Sequence, residues 1–501
     1  MRFALVALAC AVILGPAVCS AQPDYQRHAT PVSPAPADPA IARALKTIQP
    51  AHIEQTIKTL VGFGTRNTMT SMETDLPPGK GINAAADWIY GQFEAISRQC
   101  GGCLEVKRDT FIADPASGEP WARRILKPTK LTNVYAILRG TDPAQAGRMV
   151  LVTGHYDSIN SQVLKNWADT SGAAPGANDD GSGTAVSLEC ARALSKLKLP
   201  STVVFVAVAG EEEGLVGSEH LAKLARSEGW DLEAVLNNDI VGGNTTPGDT
   251  LQLKDRVRVF SEGIPRAATM RQVREIRALG LENDSPSREL AREIHGVAET
   301  YFPQAGPARF EAFLVDRPDR YHRGGDHLSF NLEGFAAVRF TEWREDFNHQ
   351  HQDVVFPPPG SKEPIKGDLP RFVDYNYVAH VARLNAATLA TLASAPGRPV
   401  HLTLENKQVE NSSTLTWDPP AGAPPGTHYE VVWRVTTAPE WQYEKRVEGN
   451  GPGQPVTVTL PISKDNVYFG VRAVDAKGHR GLVSVPGVDS GALPALLGAG
   501  R

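Results

Sequence analysis

Short, continuous apolar runs recur along most of the chain, at residues 134–138, 149–152, 203–209, 234–236 and 336–340. Continuity rather than alternation marks strands covered on both faces, as in a parallel sheet. Between these runs, apolar residues return with helical period at 83–97, 183–197 and 287–295. The alternation predicts an α/β domain over residues 41–395, with a mainly parallel, mixed sheet flanked by helices. Past residue 395 the texture changes. Alternating stretches at 414–417, 429–434, 456–460 and 467–474, separated by Gly, Pro and Asn clusters, predict a small all-β sandwich over 398–488. Trp417 falls in an early strand as a core aromatic, and Tyr468 in a late one.

The ends read differently. Arg2, an apolar run over 3–14, then Gly15, Pro16 and small residues up to Ala21 have the layout of a secretory signal peptide, residues 1–21. Val18 before Cys19 is a poor fit to lipoprotein processing. Export to the periplasm or the exterior is expected. Residues 22–40, rich in Pro and Ala, are expected to form a linker or pro-segment, and 489–501 a disordered tail. No later run reaches the roughly 18 apolar residues of a membrane span. Lys and Arg number 51 against 56 Asp and Glu, so a nucleic-acid partner, which wants a basic excess, is not expected. The 45 glycines and 38 prolines predict long connecting loops, where sites are carried. Cys100 and Cys103 are placed to close a small structural disulfide, whereas Cys190 lies in a helical pattern as a small core residue.

Chemistry concentrates where the apolar runs end, the edge at which open α/β sheets bind ligands. One run leads into Gly154-His155-Tyr156-Asp157-Ser158, the next into Gly210-Glu211-Glu212-Glu213, the next into Asp239, and the last toward Glu342 and the polar stretch His349-Gln350-His351-Gln352-Asp353. A further cluster, Asn178-Asp179-Asp180-Gly181, precedes a helix. Each feature alone is ordinary: a capping turn, a solvated glutamate face, a surface histidine. Together, so many carboxylates at one edge would repel one another unless cations neutralised them. Two divalent cations, Asp179, Glu212, Asp239 and one hydroxide sum to zero charge.

Read as a set, the motifs GHYDS, GANDDGSG, AGEEEGLVGS, NNDIVG, GGDH and H-x-x-x-D resemble the zinc-dependent exopeptidase family that contains bacterial secreted leucyl aminopeptidases, glutamate carboxypeptidase and glutaminyl cyclases. The resemblance covers about 41–395. It implies two zinc ions bridged by Asp179, with His155 and Asp239 completing one site and Glu212 and His349 the other. It also implies Asp157 behind His155, Glu211 as the general base, a cis Asp179–Asp180 peptide, and a place for Asp326 near the site without a ligand role. The third glutamate leaves the register to be fixed by Gly214, which selects Glu211 and Glu212. The terminal histidine is duplicated, and His349 rather than His351 stands four residues before an acid, Asp353. The C-terminal segment resembles a fibronectin type III module, without catalytic residues, expected to serve attachment to a surface or a larger substrate.

The activity implied is removal of N-terminal residues from peptides. A carboxypeptidase would need cations, Arg323 among them, around the substrate carboxylate. A glutaminyl cyclase would need one zinc, and a non-catalytic binding protein would have lost ligands.

Overall fold

The computed structural model describes residues 22–27 and 29–487. The expected signal peptide and the whole of the expected tail lie outside them. Eight strands form the main sheet: β1 (Leu104–Ala113), β2 (Thr129–Leu138), β3 (Arg148–His155), β4 (Thr202–Val208), β5 (Asp231–Asn238), β6 (Arg256–Ser261), β7 (Glu311–Val315) and β8 (Ala337–Thr341). Their order is β1-β2-β4-β3-β5-β8-β6-β7. The central β4-β3-β5-β8 block is parallel, and antiparallel pairings join β2 to it on one side and β6 on the other. Every residue of β4 and β8 is buried, as continuous apolar runs require. The strands absent from the apolar pattern sit toward the margins: β1 alternates buried ends with exposed charges and carries the free edge.

Helices α1 (Gly81–Gln99), α2 (Gly181–Leu194), α3 (Val216–Ser227), α4 (Pro286–Tyr301) and α5 (Tyr375–Ser394) cover the sheet. α5 is buried along almost its whole length, so it has no polar stripe to betray a helical period. The Cys100–Cys103 disulfide closes the loop after α1, and Cys190 is buried in α2. Gly154 at the end of β3 and Gly183 in the first turn of α2 touch so closely that a Cβ on Gly154 would lie 2.4 Å from Gly183 backbone. That contact seats the start of α2 directly on the strand ends.

The C-terminal part is a pair of antiparallel sheets with Trp417 fully buried between them. One contains β9 (Val400–Leu404), β10 (Ser413–Asp418) and β13 (Val456–Leu460), and the other β11 (His428–Val435), β12 (Tyr443–Glu448) and β14 (Val467–Val474). Residues 22–40 do not form a free linker. Thr30 and Pro31 add to the edge of β12, the Trp433 indole donates to the Tyr25 carbonyl, and Arg480 donates to that of Ser33. Proline suits such an edge because it has no N–H to offer a further strand. From there the segment reaches the α/β domain, where Tyr301 and Thr300 of α4 bond Asp38 and Ala35.

The two domains are joined by a buried ionic and apolar contact. Arg434 of β11 pairs with Asp284 at 2.5 Å, Arg292 of α4 pairs with Asp284 and Glu289, and the Trp441 indole donates to Glu289. Ile276 and Leu281 pack against Val432, Trp441, Val483 and Val485. Tyr468 faces this interface, donating its hydroxyl to the Gly280 carbonyl.

Candidate metal centre

Parallel strands deliver their carboxyl ends to one edge, and five motif residues meet there. His155 is the last residue of β3, Asp239 follows β5, and Glu211 and Glu212 stand just past β4. Asp179 precedes α2 in a loop held from behind by two charged groups that the sequence motifs do not include. Asp368 accepts the backbone N–H groups of Asn178 and Asp179, at 2.8 and 2.7 Å. The fully buried guanidinium of Arg66 binds the carbonyls of Tyr156, Pro175 and Gly176. The Asp179–Asp180 peptide bond is cis, and Asp180 caps α2 by accepting from Gly183 N.

Two donor groups share Asp179. In the first, His155 Nε2 lies 3.2 Å from Asp179 Oδ1 and 3.9 Å from Asp239 Oδ1. In the second, His351 Nε2 lies 2.8 Å from Asp179 Oδ2 and 3.0 Å from Glu212 Oε1. In each group the candidate ligand atoms all fall within 4.8 Å of one another. Imidazole and carboxylate donors at this spacing fit a divalent metal such as zinc. The charges agree. Burial pushes the Glu212 carboxyl up, and burial with Asp239 alongside pushes Glu211 well up. Burial opposes charge on His155 and Asp179 as well, but attraction to Asp157 and His351 and between the two outweighs it, raising the His155 imidazole and lowering the Asp179 carboxyl. An acidic pocket that must otherwise take up protons is one that bound cations would neutralise.

His349 is not brought to this site. Its ring stacks on Phe372 at 3.6 Å, and its Nδ1 lies 2.9 Å from Asn244 Oδ1. The backbone of His351 instead adopts φ 52°, and its imidazole lies against Asp179 and Glu212. Linear spacing to Asp353 carries no information about that left-handed turn. Gln350, between the two histidines, donates to Asp179 Oδ2. His351→Ala is therefore expected to lose about one metal equivalent, because its imidazole is one of the three donors of the second group. His349→Ala should keep both equivalents, and metal analysis of the purified variants separates the two.

Asp157 lies behind the centre, not in it. Its Oδ1 is 3.4 Å from His155 Nδ1, and its carboxylate accepts the backbone N–H groups of Glu211 and Glu212, so one side chain orients a ligand and the glutamate turn. Glu211 belongs to neither donor group and is the least buried of the three consecutive glutamates. Glu213 is fully buried near Asp157 and Thr68, its carboxyl pushed up to about 8 by burial first and Asp157 next. Arg124 bonds the Glu212 carbonyl and stacks over Trp167 at the rim.

A model of Peptidase family M28 matches residues 133–359. A probable zinc metalloprotease of Pyricularia oryzae is 43% identical over 90% of this chain and 84% of its own length. Another, from Pyrenophora teres f. teres, is 38% identical over 89% and 86%. Among solved structures, the LapA aminopeptidase of Legionella pneumophila aligns with a TM-score of 0.45 at 19% identity, covering 71% of this chain and 74% of that one. A glutaminyl cyclase of Bacteroides thetaiotaomicron aligns at 0.44 and 16%, covering 68% and 98%. With 43% identity across nine tenths of its length, and the family match spanning His155, Asp179, Glu212, Asp239 and His351, the chain belongs to Peptidase family M28 and is a zinc metalloprotease.

Proposed function

We propose that the chain is an exported dizinc aminopeptidase that releases N-terminal residues from peptides. Two donor groups sharing Asp179, with the non-ligating Glu211 beside them, carry this reading. His155, Asp179 and Asp239 would hold one zinc, and Asp179, Glu212 and His351 the other. The chemistry that zinc supplies when bound is a water pKa lowered toward about 7 and a polarised peptide carbonyl. Glu211 takes the proton of the attacking water and returns it to the departing amine. Asp157 holds the Glu211 backbone so that the carboxyl stays in place through both transfers.

The choice of terminus follows from charge. The guanidinium groups of Arg258, Arg320 and Arg323 all converge on Glu345, at 3.3, 2.9 and 2.7 Å. That pairing opposes their use as a clamp for a substrate carboxylate and weakens the carboxypeptidase reading. Asp326 lies near enough to Glu211 to help burial and Asp239 push its carboxyl up, and a substrate ammonium beside such a pair is favoured over a carboxylate. The C-terminal sheets, read as a fibronectin type III-like module, would stiffen the enzyme and offer a face to larger substrates. The test is zinc content together with amino acids released from a mixed set of peptides, free or blocked at either end. Release abolished by N-acetylation and indifferent to C-terminal amidation is expected; the reverse pattern would make it a carboxypeptidase.

A further inference from the structure

Asp239 shares its carboxylate with a buried guanidinium, whereas among the described residues the ion pair of Glu212 is with the His351 imidazole. Arg339, in the middle of β8 and wholly buried, forms an ion pair from Nη2 to Asp239 Oδ1 at 2.9 Å and donates to the Asp239 carbonyl at 3.1 Å. Its Nε bonds Thr341 Oγ1 at 3.0 Å, and its Nη1 meets Asp319 Oδ2 at 3.2 Å. Asp319 is held in turn by Arg320 at 3.0 Å and faces the His327 imidazole at 3.7 Å. Gly325 makes room for this arrangement: a Cβ there would stand 2.6 Å from Arg339 Nη1 and 3.2 Å from Asp239 Oδ2. Two residues of the Gly324-Gly325-Asp326-His327 motif, Gly325 and His327, thus belong to the surroundings of this ion pair.

A guanidinium set against a carboxylate oxygen draws on the electron density that the oxygen would otherwise give a metal. A guanidinium does not deprotonate in a protein, and its repulsion of a nearby dication is poorly screened where water is excluded. We propose that Arg339 is a positioning residue that makes the two half-sites unequal, fixing the Asp239 carboxylate and drawing charge from it. Zinc at His155, Asp179 and Asp239 is then the more weakly held of the two. The inference rests on the dizinc reading above.

The test is a zinc titration of the full-length, chelator-stripped protein against a competing chromophoric chelator. Wild type should show two steps separated by at least about tenfold. Arg339→Met should tighten the weaker step by about tenfold and leave the tighter one within about twofold. Asp319→Asn, which removes the anion balancing Arg339, should loosen the weaker step; this variant decides the matter if Arg339→Met does not fold. A merely structural arginine would give looser binding in both variants. Equal steps in wild type, or an Arg339→Met protein whose weaker step stays put or loosens, overturns the inference while leaving two zinc sites standing. So does an Asp319→Asn protein with an unmoved step. Wild-type protein that takes up no zinc overturns the dizinc reading and this inference together.

Discussion

Glu211→Gln is expected to lower turnover by roughly 10²- to 10⁴-fold, the usual worth of a positioned acid–base group, while zinc content stays at the wild-type level. The amide keeps the size of the side chain and cannot accept the proton of the attacking water. Neither donor group includes Glu211, so its replacement removes no ligand atom. The Asp157 contact is to the Glu211 backbone N–H and survives the substitution. Glu212→Gln should behave differently and lose metal with activity, because its carboxylate faces Asp179 and His351. Turnover of a reference dipeptide, with zinc counted on the same sample, separates the two. A Glu211→Gln enzyme keeping more than about a tenth of wild-type turnover is incompatible with a general base at this position.

A chain cut after Ser394 is expected to fail as a folded protein. Sequence texture alone predicts a separable module, because no motif residue maps past residue 395. The structure shows that α4 and its neighbours are completed from the other side. Cutting there uncovers Ile276 and Leu281 and strips Asp284 of Arg434 and Glu289 of Trp441. Removing one partner of a buried ion pair costs about 3–5 kcal/mol, against a total stability on the order of 5–15 kcal/mol. The expected result is insoluble protein, or a thermal midpoint lowered by about 4–6 °C per lost ion-pair partner in a domain of this size. Arg434→Met with Trp441→Ala in the full chain should show a milder form of the same defect. A truncated domain that melts where the full chain does would show that the interface contributes nothing.

Much of the centre was legible because parallel strands end together, so His155, Glu212 and Asp239 were bound to meet once their apolar runs were recognised as strands. Two things were not. The first is His351, whose place depends on one left-handed residue in a loop with no periodicity. The second is the buried charged frame of Arg66, Asp368 and Arg339, scattered far from the motifs in sequence. Of these only Arg339 left a trace, as a cation inside an otherwise apolar strand run, where it must find a partner. The edge strand β1 escaped notice because exposed charges interrupt its pattern, β7 because it is five residues long with Phe313 exposed at its middle, and α5 because its burial removes the polar face.

The placement of residues 22–38 also sets an order of events in folding. Ser33 and Arg480 are hydrogen-bonded across 447 positions, and Asp24 and Ser463 across 439. During synthesis at about 5–20 residues per second, the N-terminal stretch therefore waits roughly 20 to 90 seconds for the strand it will complete. Over that interval its only sequence-distant partners among the described hydrogen bonds are Tyr301 and Thr300, which take Asp38 and Ala35. The edge of β12 is covered only by that stretch, so this pairing is the point at which two copies can exchange arms.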